Sequence, residues 1–387
     1  MALSLAGCVS LTRTPITEQD IDRGAPYGVP NIRAWGDSIN PAAAQAILAA
    51  EIQRTGRMHG PQIAKGGPIR ETILTLSGGG ADGAFGAGLL AGWTERGDRP
   101  NFDVVTGVST GAIVGLFAFL GPKYDPQLRK FYTHYDTSEL LEPALFSALR
   151  GAPSISDASG YNGLIDQYIN DDVVAELAEE AAKGRVLLVG TTNLDAARPV
   201  IWDLTAIASS GHPNAGKLVR SVVRASSAVP AVFPPVVIPT VTAAGQSVDE
   251  LHVDGGATAQ VMLFSPELPL SEVDAAIGVK IDRTLYAIIN NSLRKPYQPV
   301  DLGVLSIAGR AASSLISGSG GGDLYKIFAI TERDGVDFNA VWIPETFVLE
   351  PSEAFDPAYM EALYEFGYQY GLDGDKWRNA PPNFVSN

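Results

Sequence analysis

The chain has 387 residues with 28 basic and 43 acidic side chains, a formal charge of −15, and 45% hydrophobic content, which suits one large α/β domain or two of medium size with a sizeable core. That acidic balance argues against a sequence-blind grip on nucleic acid, which needs a basic surface to displace counterions, and disfavours broad attraction to anionic membranes. A single cysteine excludes an intrachain disulfide and any multi-cysteine zinc or iron–sulfur site, and four histidines do not suggest a His-rich cage, so no metal or cofactor is expected.

In chain order, the first feature is Leu5-Ala6-Gly7-Cys8, which resembles the lipobox at which bacterial lipoproteins are cleaved and lipidated. Cys8 is therefore a lipidation candidate. The segment before it is shorter than a basic region plus an apolar region of roughly 7–15 residues, so this reading implies a start codon further upstream and a place in the bacterial cell envelope. A chance match would leave the protein cytoplasmic. Residues 1–67 read as leader and arm, with one helix at 41–53 rich in strong helix formers. The main domain runs from about 68 to 380, and 381–387 form a tail.

From residue 72 the pattern changes. A β-rich run at 72–77 leads into Gly78-Gly79-Gly80 and a helix through Trp93; a second run at 102–106 leads through Gly107 into an apolar helix. That helix, 111–121, is about half of the ~20 residues needed to span a membrane and reads as buried core. Strand, glycine turn and helix, repeated, is the mark of a parallel sheet wrapped by helices. Further strands are expected at 186–191, 200–204, 236–239, 250–253, 284–289 and 336–343. Helices are expected at 126–135, 161–183, 215–225, 300–316 and 357–370, with flexible loops by composition at 151–160 and 317–322.

Three motifs carry chemistry. Gly107-Val108-Ser109-Thr110-Gly111 has the form G-x-S-x-G, in which flanking glycines let a serine sit on a tight strand-to-helix turn with its hydroxyl lifted out of the fold. Its position between an apolar strand and an apolar helix separates it from a plain glycine turn. Ser77-Gly78-Gly79-Gly80-Ala81-Asp82-Gly83 also lies between strand and helix, where bare N–H groups and the helix dipole favour an anion such as an oxyanion. A phosphate loop is the alternative, but the turn lacks lysine and G-x-x-x-x-G-K-[ST]. Asp254-Gly255-Gly256 places an acid at a strand end, where partial burial raises its pKa and strengthens it as a base; many Asp-Gly pairs are only turns.

Together the three motifs resemble the patatin-like phospholipase family, and the block Ala225-Ser-Ser-Ala-Val-Pro-Ala-Val-Phe-Pro-Pro235 is similar to that family's segment between nucleophile and aspartate. The resemblance covers about residues 72 to 260. It implies a three-layer α/β/α fold with a mostly parallel central sheet, and a Ser–Asp dyad of Ser109 as nucleophile and Asp254 as base. It also implies an oxyanion hole of the Gly79, Gly80 and Ala81 amides, and a lipid or acyl-ester substrate met at a membrane surface. Carboxylesterase, thioesterase and acyltransferase activity stay open, as does a lipid-binding protein that has kept the fold. Asp82 departs from the basic residue common in the family at that point, which puts a strongly anionic phospholipid in doubt; an acid there suits the first turn of a helix. His252, two residues from Asp254, is a second candidate base or a structural histidine.

Overall fold

The computed structural model describes residues 13–66, 68–143, 156–230, 232–263, 269–293, 299–382 and 384. In chain order these form β1 (Ala25–Pro26), β2 (Arg33–Trp35), α1 (Pro41–Ala64), β3 (Ile69–Leu76), α2 (Gly83–Arg96), β4 (Val104–Val108), α3 (Thr110–Leu120), α4 (Asp125–Thr133) and α5 (Thr137–Leu140). Next come β5 (Glu142–Pro143), β6 (Ser156–Asp157), α6 (Ser159–Tyr168), α7 (Asp171–Ala182), β7 (Val186–Asn193), β8 (Arg198–Asp203), α8 (Leu204–Ser209) and α9 (Ala215–Ser226). The chain continues with β9 (Val236–Val241), β10 (Ser247–Asp254), α10 (Leu270–Ile277), β11 (Ile281–Ser292), α11 (Val304–Asp334), β12 (Asp337–Ile343) and α12 (Pro357–Asp373).

One sheet runs in the order β1-β9-β10-β7-β4-β3-β11-β12, with β8 pairing β7 and carrying β2. The strands β7, β4, β3, β11 and β12 are parallel, while β8, β10 and β9 add antiparallel pairs beyond β7. The fold is thus the expected mixed α/β architecture with a mostly parallel central sheet. Alternation along β3 fixes its three layers, because successive strand side chains face opposite ways. Leu74 and Leu76 join Phe85, Trp93, Ile113 and Phe117 of α2 and α3, whereas Ile73 joins Leu270 of α10 and Leu324 and Ile327 of α11 on the other face. Being covered on both faces, β3 is buried without alternation from Ile73 to Leu76.

Helix α1 runs to Ala64, well past the expected 53, and starts on the Asn40 side chain, which accepts from Ala43 N–H at 2.9 Å. Arg54 of α1 reaches Glu71 of β3, which also takes Arg283 of β11 at 3.2 Å. Burial opposes the Glu71 charge, but these two guanidinium groups hold its pKa below the ordinary value. The expected single helix at 161–183 is two: it breaks at Ile169, and Asn170 caps α7 by accepting from Val173 N–H at 3.1 Å.

The glycine run at 317–322, read as a loop from composition, lies inside α11, which ends at Gly335 with φ 65°. Each glycine costs a helix up to about 1 kcal/mol relative to alanine. Here Leu324, Ile327 and Phe328, buried just downstream, bind the helix to the sheet, and a side chain at Gly320 would already touch Gln260 at 3.6 Å. Tertiary packing therefore outweighs propensity. Among the described residues no helix is long and apolar enough to cross a membrane.

Candidate active site

Ser109 stands where β4 turns into α3, with φ 56° and ψ −125°. A non-glycine residue there stores roughly 1–3 kcal/mol of backbone strain, and the surroundings enforce it. A Cβ at Gly107 would lie 2.2 Å from the Gly111 carbonyl oxygen, and one at Gly111 would lie 2.4 Å from that of Leu76, so only glycines let the turn close this tightly. The Ser109 N–H donates to Ser226 Oγ at 2.8 Å, and the Ser226 hydroxyl donates to the Gly190 carbonyl at 2.7 Å. The Ala225–Pro235 block thus pins the elbow to β7. Sequence reasoning recognised the block but not Ser226.

Asp254 ends β10 opposite Thr191 of β7. Its N–H donates to the Ala228 carbonyl at 2.9 Å, and its Oδ1 accepts from Gly256 N–H at 2.7 Å. The carboxylate is 2% exposed and Ser109 is 4% exposed. Burial pushes the Asp254 carboxyl up to about 7, against the opposing pull of the Ser109 hydroxyl and the Gly256 N–H. The hydroxyl acts on the carboxylate without closing a well-aligned hydrogen bond, since among the described residues the buried Oδ2 has no partner. The fold therefore brings together two residues 145 positions apart in the sequence.

The glycine loop lies on the same side. Gly78 N–H donates to the Gln260 carbonyl at 3.2 Å and Asp82 N–H to the Gly79 carbonyl at 3.1 Å. Among the described residues, no acceptor outside the turn's own helix takes the N–H of Gly79, Gly80 or Ala81. Gly80 has φ 60°, a conformation open to glycine at little cost. Two asparagines at the end of β11 hold the loop: Asn290 donates to the Ser77 carbonyl at 3.0 Å and Asn291 to that of Gly78 at 2.7 Å. Gly83 packs on Thr110 and Tyr132, and Gly255 on the Gly190 carbonyl, so every glycine of the three motifs apart from Gly80 meets a close neighbour.

Asp82 accepts from the Tyr359 hydroxyl at 2.6 Å, and burial together with this carboxylate raises the phenol pKa. The acid that replaces a basic residue thereby docks α12 onto the start of α2. His252 is enclosed: Nδ1 lies 3.0 Å from Thr191 Oγ1, Nε2 lies 3.4 Å from Glu250 Oε2, and the ring meets Trp202 edge-on. Burial lowers its pKa, and these partners give it a structural task. Among the described residues no group of three or more His, Cys, Asp or Glu side chains is placed to hold a metal ion. Cys8 lies outside the described residues.

A cavity of about 250 Å³ opens between Tyr161, Ala228, Phe233, Pro235 and Arg224, and one of these residues, Ala228, accepts the Asp254 N–H on its carbonyl. Arg224 pairs with Asp166 at 2.5 Å and keeps its Nε buried without a partner.

Residues 74–265, which contain the glycine loop, the elbow and Asp254, match the family model described as Patatin-like phospholipase. Residues 74–265 are a patatin-like phospholipase domain. This match supports lipid acyl hydrolysis as the activity. Among solved structures the patatin-like chain is similar to VipD from Legionella pneumophila, at 15% identity over 81% of this chain and 68% of that one, TM-score 0.38. Human GIVD cytosolic phospholipase A2 shows 10% identity over 80% and 55% of the two chains, TM-score 0.33. Full-length ExoU of Pseudomonas aeruginosa, solved in complex with SpcU, shows 12% identity over 79% and 52%, TM-score 0.28. The chain thus spans about half of the last two. No curated protein matches it.

Proposed function

We propose that this protein hydrolyses carboxylic esters of phospholipids or lysophospholipids through an acyl-enzyme on Ser109, with Asp254 as general base. The observation that carries this reading is the buried Asp254 carboxyl, raised to about 7 with one free oxygen, beside a serine on a strained strand-to-helix elbow. Asp254 takes the Ser109 proton as Oγ attacks the acyl carbon. The N–H groups of Gly79, Gly80 and Ala81 receive the oxyanion, each donor lowering the barrier by roughly 3 kcal/mol. The protonated Asp254 then gives its proton to the departing alcohol. A water molecule reverses the sequence: Asp254 accepts its proton, the ester to Ser109 breaks, and the proton returns to Oγ.

The match of residues 74–265 to the patatin-like phospholipase model supports a lipid substrate. Lipidation of Cys8 would hold the enzyme at a membrane despite the −15 charge. The test is turnover of a panel of phospholipids, lysophospholipids, neutral esters and thioesters by wild type and Ser109→Ala. Release of fatty acid from phospholipid or lysophospholipid by the wild type alone is the expected result. Turnover restricted to short esters or thioesters would replace the lipid reading with a general esterase or thioesterase. With Asp254 as base, kcat/KM should rise with pH through an apparent pKa near 7.

A further inference from the structure

Gln260 is 2% exposed and, among the described residues, its buried Oε1 has no hydrogen-bond donor. The backbone holds the residue still: its carbonyl accepts from Gly78 N–H, and its own N–H donates to Asp323 Oδ2 at 2.6 Å. The carboxamide lies between the two halves of the site. A Cβ built on Gly78 would be 2.8 Å from Gln260 Oε1 and 3.1 Å from Ser109 Cβ; one built on Gly256 would be 2.3 Å from Gln260 Nε2 and 2.9 Å from Asp254 Oδ1. The orphaned oxygen therefore borders the same space beside Gly78 as the Ser109 side chain, and the nitrogen borders that beside Gly256 with Asp254 Oδ1. Gly78 and Gly256 are bare because the carboxamide fills their side-chain space.

A buried acceptor without a donor destabilises a fold, and an apolar residue of the same size would remove that cost. Such an orphan at a functional site signals a donor supplied during turnover. Acylation does not supply it, because the single proton of Ser109 goes to Asp254. The deacylating water does, since it has two O–H groups: one for Asp254 and one left over. We infer that Gln260 Oε1 accepts the second O–H of the hydrolytic water and so positions it for attack on the acyl carbon, an inference that rests on the Ser109 acyl-enzyme proposed above.

The water oxygen bonds to the acyl carbon, Asp254 takes one proton, the carbon–Oγ bond breaks and Oγ regains the proton, while the hydrogen on Gln260 stays with the new carboxylic acid. An alcohol acceptor has one O–H, which Asp254 takes, so it leaves Oε1 unpaired. Gln260 thereby favours hydrolysis over acyl transfer. A site built to bond a hydrogen rejects the analogue that lacks it.

The test compares wild type with Gln260→Met, which keeps the volume and removes the acceptor, and Gln260→Leu as a second variant. A p-nitrophenyl ester is the substrate and glycerol the competing alcohol. Folding is checked by thermal melt and by the rate of fluorophosphonate labelling, both expected to match wild type or, for the melt, exceed it. The variants should show a burst of nitrophenol, an acyl adduct on Ser109 by intact mass, a deacylation rate about tenfold lower and a share of acyl transferred to glycerol about tenfold higher, as for loss of one hydrogen bond. Unchanged partitioning without a burst, whether or not kcat falls, would overturn the inference and leave Gln260 a packing residue. Failure of wild type to label at Ser109 would instead sink the acyl-enzyme reading itself.

Discussion

Asp254→Asn is expected to lower ester turnover by about 10³-fold or more and to raise the melting temperature at pH 8. The loss follows from removal of the base: an amide cannot take the Ser109 proton, and general-base catalysis contributes up to about 10⁴-fold. The gain follows from the raised pKa. The unfolded carboxyl titrates near the ordinary value of 3.8 and the folded one near 7, so below about pH 4 both states hold the proton and folding carries no penalty. As pH rises from there through 7 the unfolded chain ionises freely while the native state must either keep the proton or bury a charge. The stabilisation present at low pH is thus lost across this window, and above it Asn removes a penalty of roughly 2–4 kcal/mol. Asn can still accept from Gly256 N–H, so the turn survives. Thermal melts of both proteins from pH 4 to 8 should diverge upward through pH 7. Equal melting temperatures at pH 8, or retained turnover, would contradict the assignment.

Gly371→Ala should destabilise the protein strongly. α2 and α12 cross with their backbones in contact: a Cβ at Gly371 would lie 2.0 Å from the Leu89 carbonyl oxygen, and one at Gly88 or Gly92 would lie 2.0 Å from that of Tyr364 or Tyr368. These are main-chain atoms, so relief requires one helix to move. Overpacking of this kind costs about 2–4 kcal/mol. Because α2 begins at the glycine loop, its displacement also shifts Gly79, Gly80 and Ala81, and turnover should fall in the fraction that remains folded. Gly163→Ala, on an exposed turn of α6 with nothing within 4 Å, is the matched control and should be neutral or stabilising by up to about 1 kcal/mol. Chemical denaturation of the two variants distinguishes them; equal stability would mean that the helices are not in backbone contact.

The residues legible in the sequence are those whose chemistry and local structure share one short segment. Ser109 and its glycines form a turn between an apolar strand and an apolar helix, and Gly78 to Gly83 repeat that pattern, so periodicity and composition suffice to place them. Asp254 was legible only beside the other two motifs. Residues that act across the sheet left no local mark. Ser226 meets Ser109 only because α9 packs beside β7, and Asn290 and Asn291 reach the glycine loop only because β11 pairs with β3. Gln260 follows Asp254 by six positions, but its orientation depends on Gly78 and on α11. The glycine run at 317–322 misled for the same reason: its helix is held by side chains downstream and by the sheet, not by its own propensities.

The most direct measurement is labelling of the folded protein with a fluorophosphonate, followed by intact mass and peptide mapping. A single adduct on Ser109, absent from Ser109→Ala and slowed in Asp254→Asn, is the predicted result. No adduct on folded wild type, or one that persists in Ser109→Ala, would contradict a Ser109 acyl-enzyme.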